Sequence, residues 1–210
     1  MIQVRRWCPT SVDRRLFGLL ALTTISLFGL TGCWPGDSYE YNGGVLDPIK
    51  AAPPLDLTDQ FGQPFSLTTA EPKVRLIYFG YTTCPDFCPT TLTDFMSVKE
   101  DLGDEAERVD FLLVTVDPDR DSAVRLKEYL AFFDPTFIGL RGDTAQTEAT
   151  ARGYGVFAQK VEQPDSATGY LVDHTSLIYV LDEEGNLRLT FGYGSDPADI
   201  TADVRHLLDD

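Results

Sequence analysis

The chain has 210 residues, 43% of them hydrophobic and 24% charged, which suits one globular domain plus appendages and excludes a disordered or fibrous chain. It carries 17 Lys+Arg against 33 Asp+Glu, a formal net charge of −16. A body this acidic repels nucleic-acid phosphate and anionic lipid headgroups, so no nucleic-acid partner is expected, and solubility accounts for most of the acidity.

Residues 1–32 stand apart. Arg5, Arg6, Arg14 and Arg15 form a basic start, and residues 16–30 are an uncharged apolar run. A bilayer span needs about 20 apolar residues, so this run fits the core of a signal peptide better. It ends in Leu30-Thr31-Gly32-Cys33, which resembles the processing site of bacterial lipoproteins: small residues admit a peptidase and the Cys33 thiol accepts lipid. The alternative is an uncleaved anchor helix. Either reading places the rest of the chain outside the cytoplasm, tethered to a membrane at its N-terminus. Those 32 residues hold four Arg and one Asp, so the remainder has 13 basic and 32 acidic residues, a formal net charge of −19.

Residues 33–54, with Cys33, Gly36, Gly43, Gly44 and three prolines by Pro53, read as a linker, and the folded domain as 55–210. Period-2 alternation either side of a turn at Asp59 to Gly62 predicts a hairpin over residues 55–67. Residues 74–80 (VRLIYFG) form a nearly continuous apolar run, as in a strand buried on both faces. A helix follows over about 89–101, with Leu92, Phe95, Met96 and residues 98–102 on its apolar face. Residues 109–116 are a second buried strand, and 121–133 a helix with Val124, Leu126, Tyr129 and Leu130 inward. A short strand at 137–140, a helix from Thr144 to about Tyr154 and a strand at 156–161 come next. Residues 162–173 read as a polar loop. Two strands, 176–181 and 187–191, flank Asp182-Glu183-Glu184-Gly185-Asn186, a strong hairpin signal. An amphipathic helix over about 197–208 closes the chain. This order predicts an α/β protein with a mixed sheet: a thioredoxin-like fold with an extra N-terminal β-hairpin and an inserted helix.

Once Cys8 leaves with the signal and Cys33 is lipidated, Cys84 and Cys88 are the remaining thiols. They sit where a buried strand ends and a helix begins, a place whose free N–H groups and positive dipole favour thiolate over thiol. Side chains four apart on a helix lie about 5–6 Å apart at Cβ, close enough to clamp one soft ion or to form a disulfide. Buried structural cysteines are a weaker reading, because Pro85 and Asp86 between them suggest an exposed turn. A purely stabilising disulfide is weak as well, since so short a loop removes little chain entropy.

Of the two histidines, His206 falls among charges on the last helix and reads as part of a solvated face. His174 immediately precedes a buried strand. In thioredoxin-like architectures that turn faces the cysteine-bearing helix start, where a neutral imidazole would complete a Cys2His set. Thiolates suit Cu(I), and three donors without a fourth fit trigonal Cu(I) better than closed tetrahedral zinc. The alternative is a loop histidine with no ligand role. Asp121 reads as the cap of the following helix. Asp117 is left open between orienting Arg120 or a partner and capping, and Asp86 is a candidate for tuning thiolate charge or touching a partner.

Three segments together, Gly80-Tyr81-Thr82-Thr83-Cys84-Pro85-Asp86-Phe87-Cys88-Pro89, Val116-Asp117-Pro118-Asp119-Arg120-Asp121 and Asp173-His174-Thr175, resemble the Sco/SenC family over about residues 53–208. The first segment alone is moderately specific, and all three in this order are highly specific. Thr175 stands where many members have Ser, which leaves the ligand set intact. The resemblance implies a thioredoxin-like copper protein with Cys84, Cys88 and His174 as ligands to Cu(I) or Cu(II). It also implies delivery to the binuclear copper centre of cytochrome c oxidase subunit II, with other extracytoplasmic copper or thiol carriers as further partners. The leading expectation is thus a binding protein rather than an enzyme. The competing reading is a thiol–disulfide reductase using Cys84 and Cys88 to keep the recipient's cysteines reduced, against which stands the CxxxC rather than CxxC spacing. A peroxidase, suggested by Thr82-Thr83-Cys84, ranks third for want of an arginine in that segment.

Overall fold

The computed structural model describes residues 39–71, 73–164 and 168–210, and the folded unit runs from Glu40 to Asp210. The expected signal peptide at 1–32, Cys33 and the first part of the linker lie outside the described residues.

The centre of the fold is the parallel pair β4 (Val74–Gly80) and β5 (Val109–Thr115), in register from Val74 opposite Val109 to Gly80 opposite Thr115. Every residue of β4 is buried, as an apolar strand covered on both faces requires. Arg75 interrupts the apolar run and is buried too, its charge met by Asp110 directly across the ladder at 3.3 Å. On one side β9 (Leu177–Leu181) pairs antiparallel with β4, then β10 (Asn186–Gly192) with β9. On the other side come β6 (Ile138–Arg141), parallel to β5, and the hairpin of β2 (Leu57–Asp59) and β3 (Pro64–Phe65).

The outer strand on the β10 side corrects the linker assignment. Residues Gly44–Ala51 are β1, antiparallel to β10, so the eight-stranded order is β1-β10-β9-β4-β5-β6-β2-β3. Its side chains are mostly exposed and Pro48 interrupts it, which is why it lacks a strand's alternation. The buried Asp203 carboxylate holds the chain just before it, accepting from the N–H groups of Asn42 and Gly43.

Helix α1 (Phe87–Leu102) buries Thr91, Leu92, Phe95, Val98 and Leu102, the spacing of one helical face, and ends at Gly103 with φ of 58°. Met96, expected inward, is exposed because it stands one residue off that stripe. A 3-10 turn, Gly103–Arg108, leads into β5. Helix α2 (Ala123–Ala131) turns Leu126 and Leu130 inward, one helical turn apart. Val124 is 65% exposed, contrary to expectation, since two residues from Leu126 is the opposite face. Helix α3 (Thr144–Gly153) begins with a reciprocal capping box between Asp143 and Gln146. Helix α4 (Pro197–Asp209) starts with Pro after the Asp196 cap and packs along α1.

The strand expected at 156–161 is present, but the end of the expected polar loop, residues 170–173, is strand as well. β7 (Ala158–Glu162) and β8 (Tyr170–His174) form a two-stranded antiparallel hairpin outside the main sheet, with Ala158 opposite His174. Polar residues at alternate positions hide it in the sequence, because only Val172 of β8 is fully buried. The whole is a mixed α/β, thioredoxin-like fold: the β4-α1-β5 and β9-β10-α4 halves are joined through α2, β6, α3 and the β7–β8 hairpin.

Candidate metal centre

The site lies at the carboxyl ends of β4 and β5, where ligand sites of open α/β sheets gather. In-register pairing brings the loop after Gly80 and the loop after Thr115 out side by side, tied by Val116 N–H to Gly80 O at 2.9 Å. β9 runs antiparallel to β4, with Ile178 opposite Tyr78, so the residues just before it return to the same edge. The topology thereby brings His174 to the cysteines.

One donor atom each from Cys84, Cys88 and His174 lies within 4.8 Å of the others, a group of metal-binding type among the described residues. His174 Nε2 is 3.6 Å from Cys88 Sγ, and Nδ1 stands 3.1 Å from the Thr175 carbonyl oxygen. Nδ1 toward that carbonyl leaves Nε2 as the ring nitrogen that faces the sulfurs, the one placed to coordinate an ion. Tyr78 and Tyr81 pack edge-on against the imidazole, with centroids at 5.9 and 5.7 Å. Both thiols are free and both are buried, Cys84 at 8% and Cys88 at 0% exposure. The exposed turn expected from Pro85 and Asp86 exists, but those two residues and Phe87 form its outside while the cysteines face in. Gly80 permits this: a Cβ there would stand 2.9 Å from Cys88 Sγ.

The two thiols titrate in opposite directions. The hydrogen bond from Cys88 is the largest cause bringing Cys84 down from 9.0 to about 4; His174 and the N–H groups of Asp86 and Cys88 help, and burial opposes. The Cys88 N–H to Cys84 Sγ distance is 3.4 Å. Burial first, then the Cys84 thiolate, hold Cys88 far above the ordinary thiol range. Burial likewise raises Tyr78, which keeps its proton and donates to Cys88 Sγ at 3.7 Å. The metal-free pair therefore shares one proton, with the thiolate on Cys84. A cavity of about 210 Å³ opens onto them, lined by residues 84–87 on one side and 171–174 on the other.

The two aspartates of the second motif stand behind the ligands. Asp121 is not the helix cap; Ser122 is, accepting from Arg125 N–H. The buried Asp121 carboxylate instead accepts from Thr82 N–H at 3.1 Å and from the Thr82 and Thr115 hydroxyls, both at 2.6 Å, fastening the cysteine loop to β5. Asp117, also fully buried, pairs with Arg120 and accepts from Tyr170 Oη at 2.9 Å. Asp86 is exposed and lines the cavity mouth. His206 lies away from the site and packs against Tyr41, at 5.4 Å between centroids, rather than standing on a solvated face. Arg125 Nε donates to Thr82 Oγ1 at 3.2 Å, an arginine that the local segment could not reveal. Sequence reading also missed Tyr78 and Tyr81, whose only signal was being aromatic on a strand leading to the cysteines.

A sequence profile described as SCO1/SenC matches residues 46–209. A SCO2-like protein of Rickettsia felis is 36% identical over 156 residues, covering 73% of this chain and 75% of that one. Among solved structures, Bradyrhizobium japonicum ScoI with copper bound is 37% identical, with TM-score 0.69, covering 75% of this chain and 99% of that one. Apo Sco1 of Thermus thermophilus is 34% identical, with TM-score 0.71, covering 82% of this chain and 99% of that one.

Proposed function

Because this chain belongs to the SCO1/SenC family, we propose that it is an extracytoplasmic copper chaperone. Cys84, Cys88 and His174 hold the ion as cargo and pass it to the binuclear copper centre of cytochrome c oxidase subunit II. The observation that carries this reading is the convergence of two sulfurs and an imidazole nitrogen within 4.8 Å. Two thiolates with one neutral imidazole are a soft, three-donor set matched to Cu(I), and the copper-bound ScoI of B. japonicum supports copper as the ion.

Delivery follows from the asymmetry of the pair. Cys84 is a thiolate at neutral pH and faces the cavity, so it makes the first bond to an arriving ion. Cys88 then loses its proton as the ion takes that proton's place, and His174 closes the third side. On release a recipient thiolate enters through the mouth beside Asp86 and Phe87, displaces one donor, and the ion leaves by ligand exchange. Extracytoplasmic copper or thiol carriers reload the protein. Lipidation of Cys33, if the signal is processed there, tethers it to the membrane near its recipient.

A second reading, thiol–disulfide reductase, is favoured by the same low Cys84 value. The Cys84 thiolate attacks a recipient disulfide, forming a mixed disulfide and releasing one recipient thiolate. Cys88, after giving up its proton, attacks Cys84 and releases the second recipient thiolate, so the pair ends oxidised and the recipient gains two electrons, one proton from Cys88 and a second from water. The experiment that separates the readings compares copper content and recipient reduction in His174→Ala and in each cysteine variant. Chaperone function predicts that His174→Ala impairs delivery. Intact delivery in that variant, with loss in both cysteine variants, supports reductase work alone.

A further inference from the structure

β8 carries His174 but lies outside the main sheet; among the described residues its ladder partner is β7 alone. An isolated two-stranded hairpin is marginal in water, so something else must fix where its end stands. The loop from β5 to α2, residues 116–122, supplies it. Asp117 Oδ2 pairs with Arg120 Nε, and Arg120 Nη1 donates to the carbonyls of Tyr170 at 2.9 Å and Thr168 at 3.2 Å. The guanidinium lies 3.7 Å from the Tyr170 ring centroid, and the Tyr170 hydroxyl returns to Asp117 Oδ1 at 2.9 Å. Tyr170 is the first residue of β8 and His174 the last. Between them Val172 N–H donates to Tyr81 Oη at 3.1 Å, so the strand is also buttoned to the cysteine loop.

We propose that Asp117 and Arg120 are positioning residues for the copper site: acting through Tyr170 and the β8 backbone, they hold the His174 imidazole over the sulfurs and so decide whether copper takes a nitrogen donor. This rests on Cys84, Cys88 and His174 being the copper ligands. Neither Asp117 nor Arg120 bonds any of those three side chains, so their effect reaches the ion through the strand and through the Tyr81 ring, which lies between the guanidinium, at 5.7 Å, and the imidazole. The single loop that positions His174 through Asp117 also positions Cys84 through Asp121 and Thr82. It thus sets the spacing between the two halves of the site.

The test uses the full chain loaded with Cu(II), read by electron paramagnetic resonance with nitrogen couplings resolved, alongside the sulfur-to-copper charge-transfer band and Cu(I) affinity. Asp117→Asn and Arg120→Ala lose the imidazole coupling in most of the copper-loaded protein while the sulfur band persists. Tyr170→Phe, which removes only a hydroxyl and should leave folding intact, loses part of it. Added free imidazole restores nitrogen coupling in Asp117→Asn. Copper affinity falls about tenfold or more in Asp117→Asn and falls no further when that change is made in His174→Ala, because both act through one donor. A merely structural role predicts equal losses in both backgrounds, and that result overturns the proposal. So does full imidazole coupling in Asp117→Asn, Arg120→Ala and Tyr170→Phe alike. A parent protein without imidazole coupling overturns the ligand assignment itself, and this proposal with it.

Discussion

The sulfurs stand on the main sheet, whereas the imidazole stands off it. Cys84 and Cys88 sit between a fully buried central strand and a 16-residue helix, with Gly80 clearing space and Asp121 tying down the loop. His174 ends a five-residue strand of a two-stranded hairpin, held by one half-buried ion pair, two tyrosine hydroxyls and the Thr175–Phe157 bonds. One side of the site is built into the core and the other is hung from it. A donor set arranged this way keeps two sulfurs in fixed geometry and leaves the third donor the easier one to move, which suits an ion that must leave by exchange.

The widest gap between the two sides is expected from removing donors. Cys84→Ser or Cys88→Ser abolishes stoichiometric copper binding, measured as copper per chain after desalting, whereas His174→Ala retains sulfur-bound copper that is lost faster to a competing chelator. Equal retention in all three would erase the distinction.

Asp121→Ala probes the built-in side. It leaves Thr82 N–H and the Thr115 hydroxyl without their buried acceptor, so stability falls by about 1–3 kcal/mol, measured by urea denaturation of the reduced protein. Alkylation of Cys84 should speed up with it. An unchanged midpoint would mean that the cysteine loop is held by something else.

Acid sharpens the comparison chemically. In the reduced, metal-free protein, thiolate absorbance near 240 nm should be half lost at about pH 4, and Cys88→Ala should move that midpoint upward by deleting the largest cause of the shift. With a folded value of about 4 against 9.0, the folded chain binds fewer protons at Cys84 than the unfolded chain between those limits. Its contribution to stability therefore grows as pH rises from about 4 toward 9.0 and vanishes as pH falls through about 4. Copper affinity near neutrality should rise about tenfold per pH unit, since one proton leaves Cys88 on binding. A flat profile there would contradict the shared-proton pair.

The smallest effect belongs to the hairpin's surface. Lys160 on β7 pairs with Asp119 at 2.6 Å, both exposed, and Lys160→Ala should leave melting temperature and copper affinity as in the parent. A measurable loss would show that exposed charge, and not the half-buried Asp117–Arg120 pair, holds the hairpin.

How much the sequence reveals tracks the same division. The apolar runs of β4 and β5 and the position of Cys84 and Cys88 at a helix start are local patterns, and they mark the sulfur side within two residues. His174 could be assigned only by knowing what a thioredoxin-like sheet brings together, because β8 has one buried residue and no alternation strong enough to declare a strand. Asp117 and Asp121 look alike in Val116-Asp117-Pro118-Asp119-Arg120-Asp121, yet one bonds the histidine strand's first residue and the other the cysteine loop. Partners 53 and 39 residues away leave no local trace. β1 was hidden for a related reason: its pairing is with β10, well over a hundred residues on, and its exposed side chains read as linker.

The most direct test is X-ray absorption at the copper edge on the Cu(I)-loaded protein and on His174→Ala. Two sulfur scatterers and one imidazole nitrogen in the parent, with the nitrogen gone from the variant, is the predicted result. Scattering by sulfur alone in the parent, or a nitrogen that survives the substitution, would contradict it.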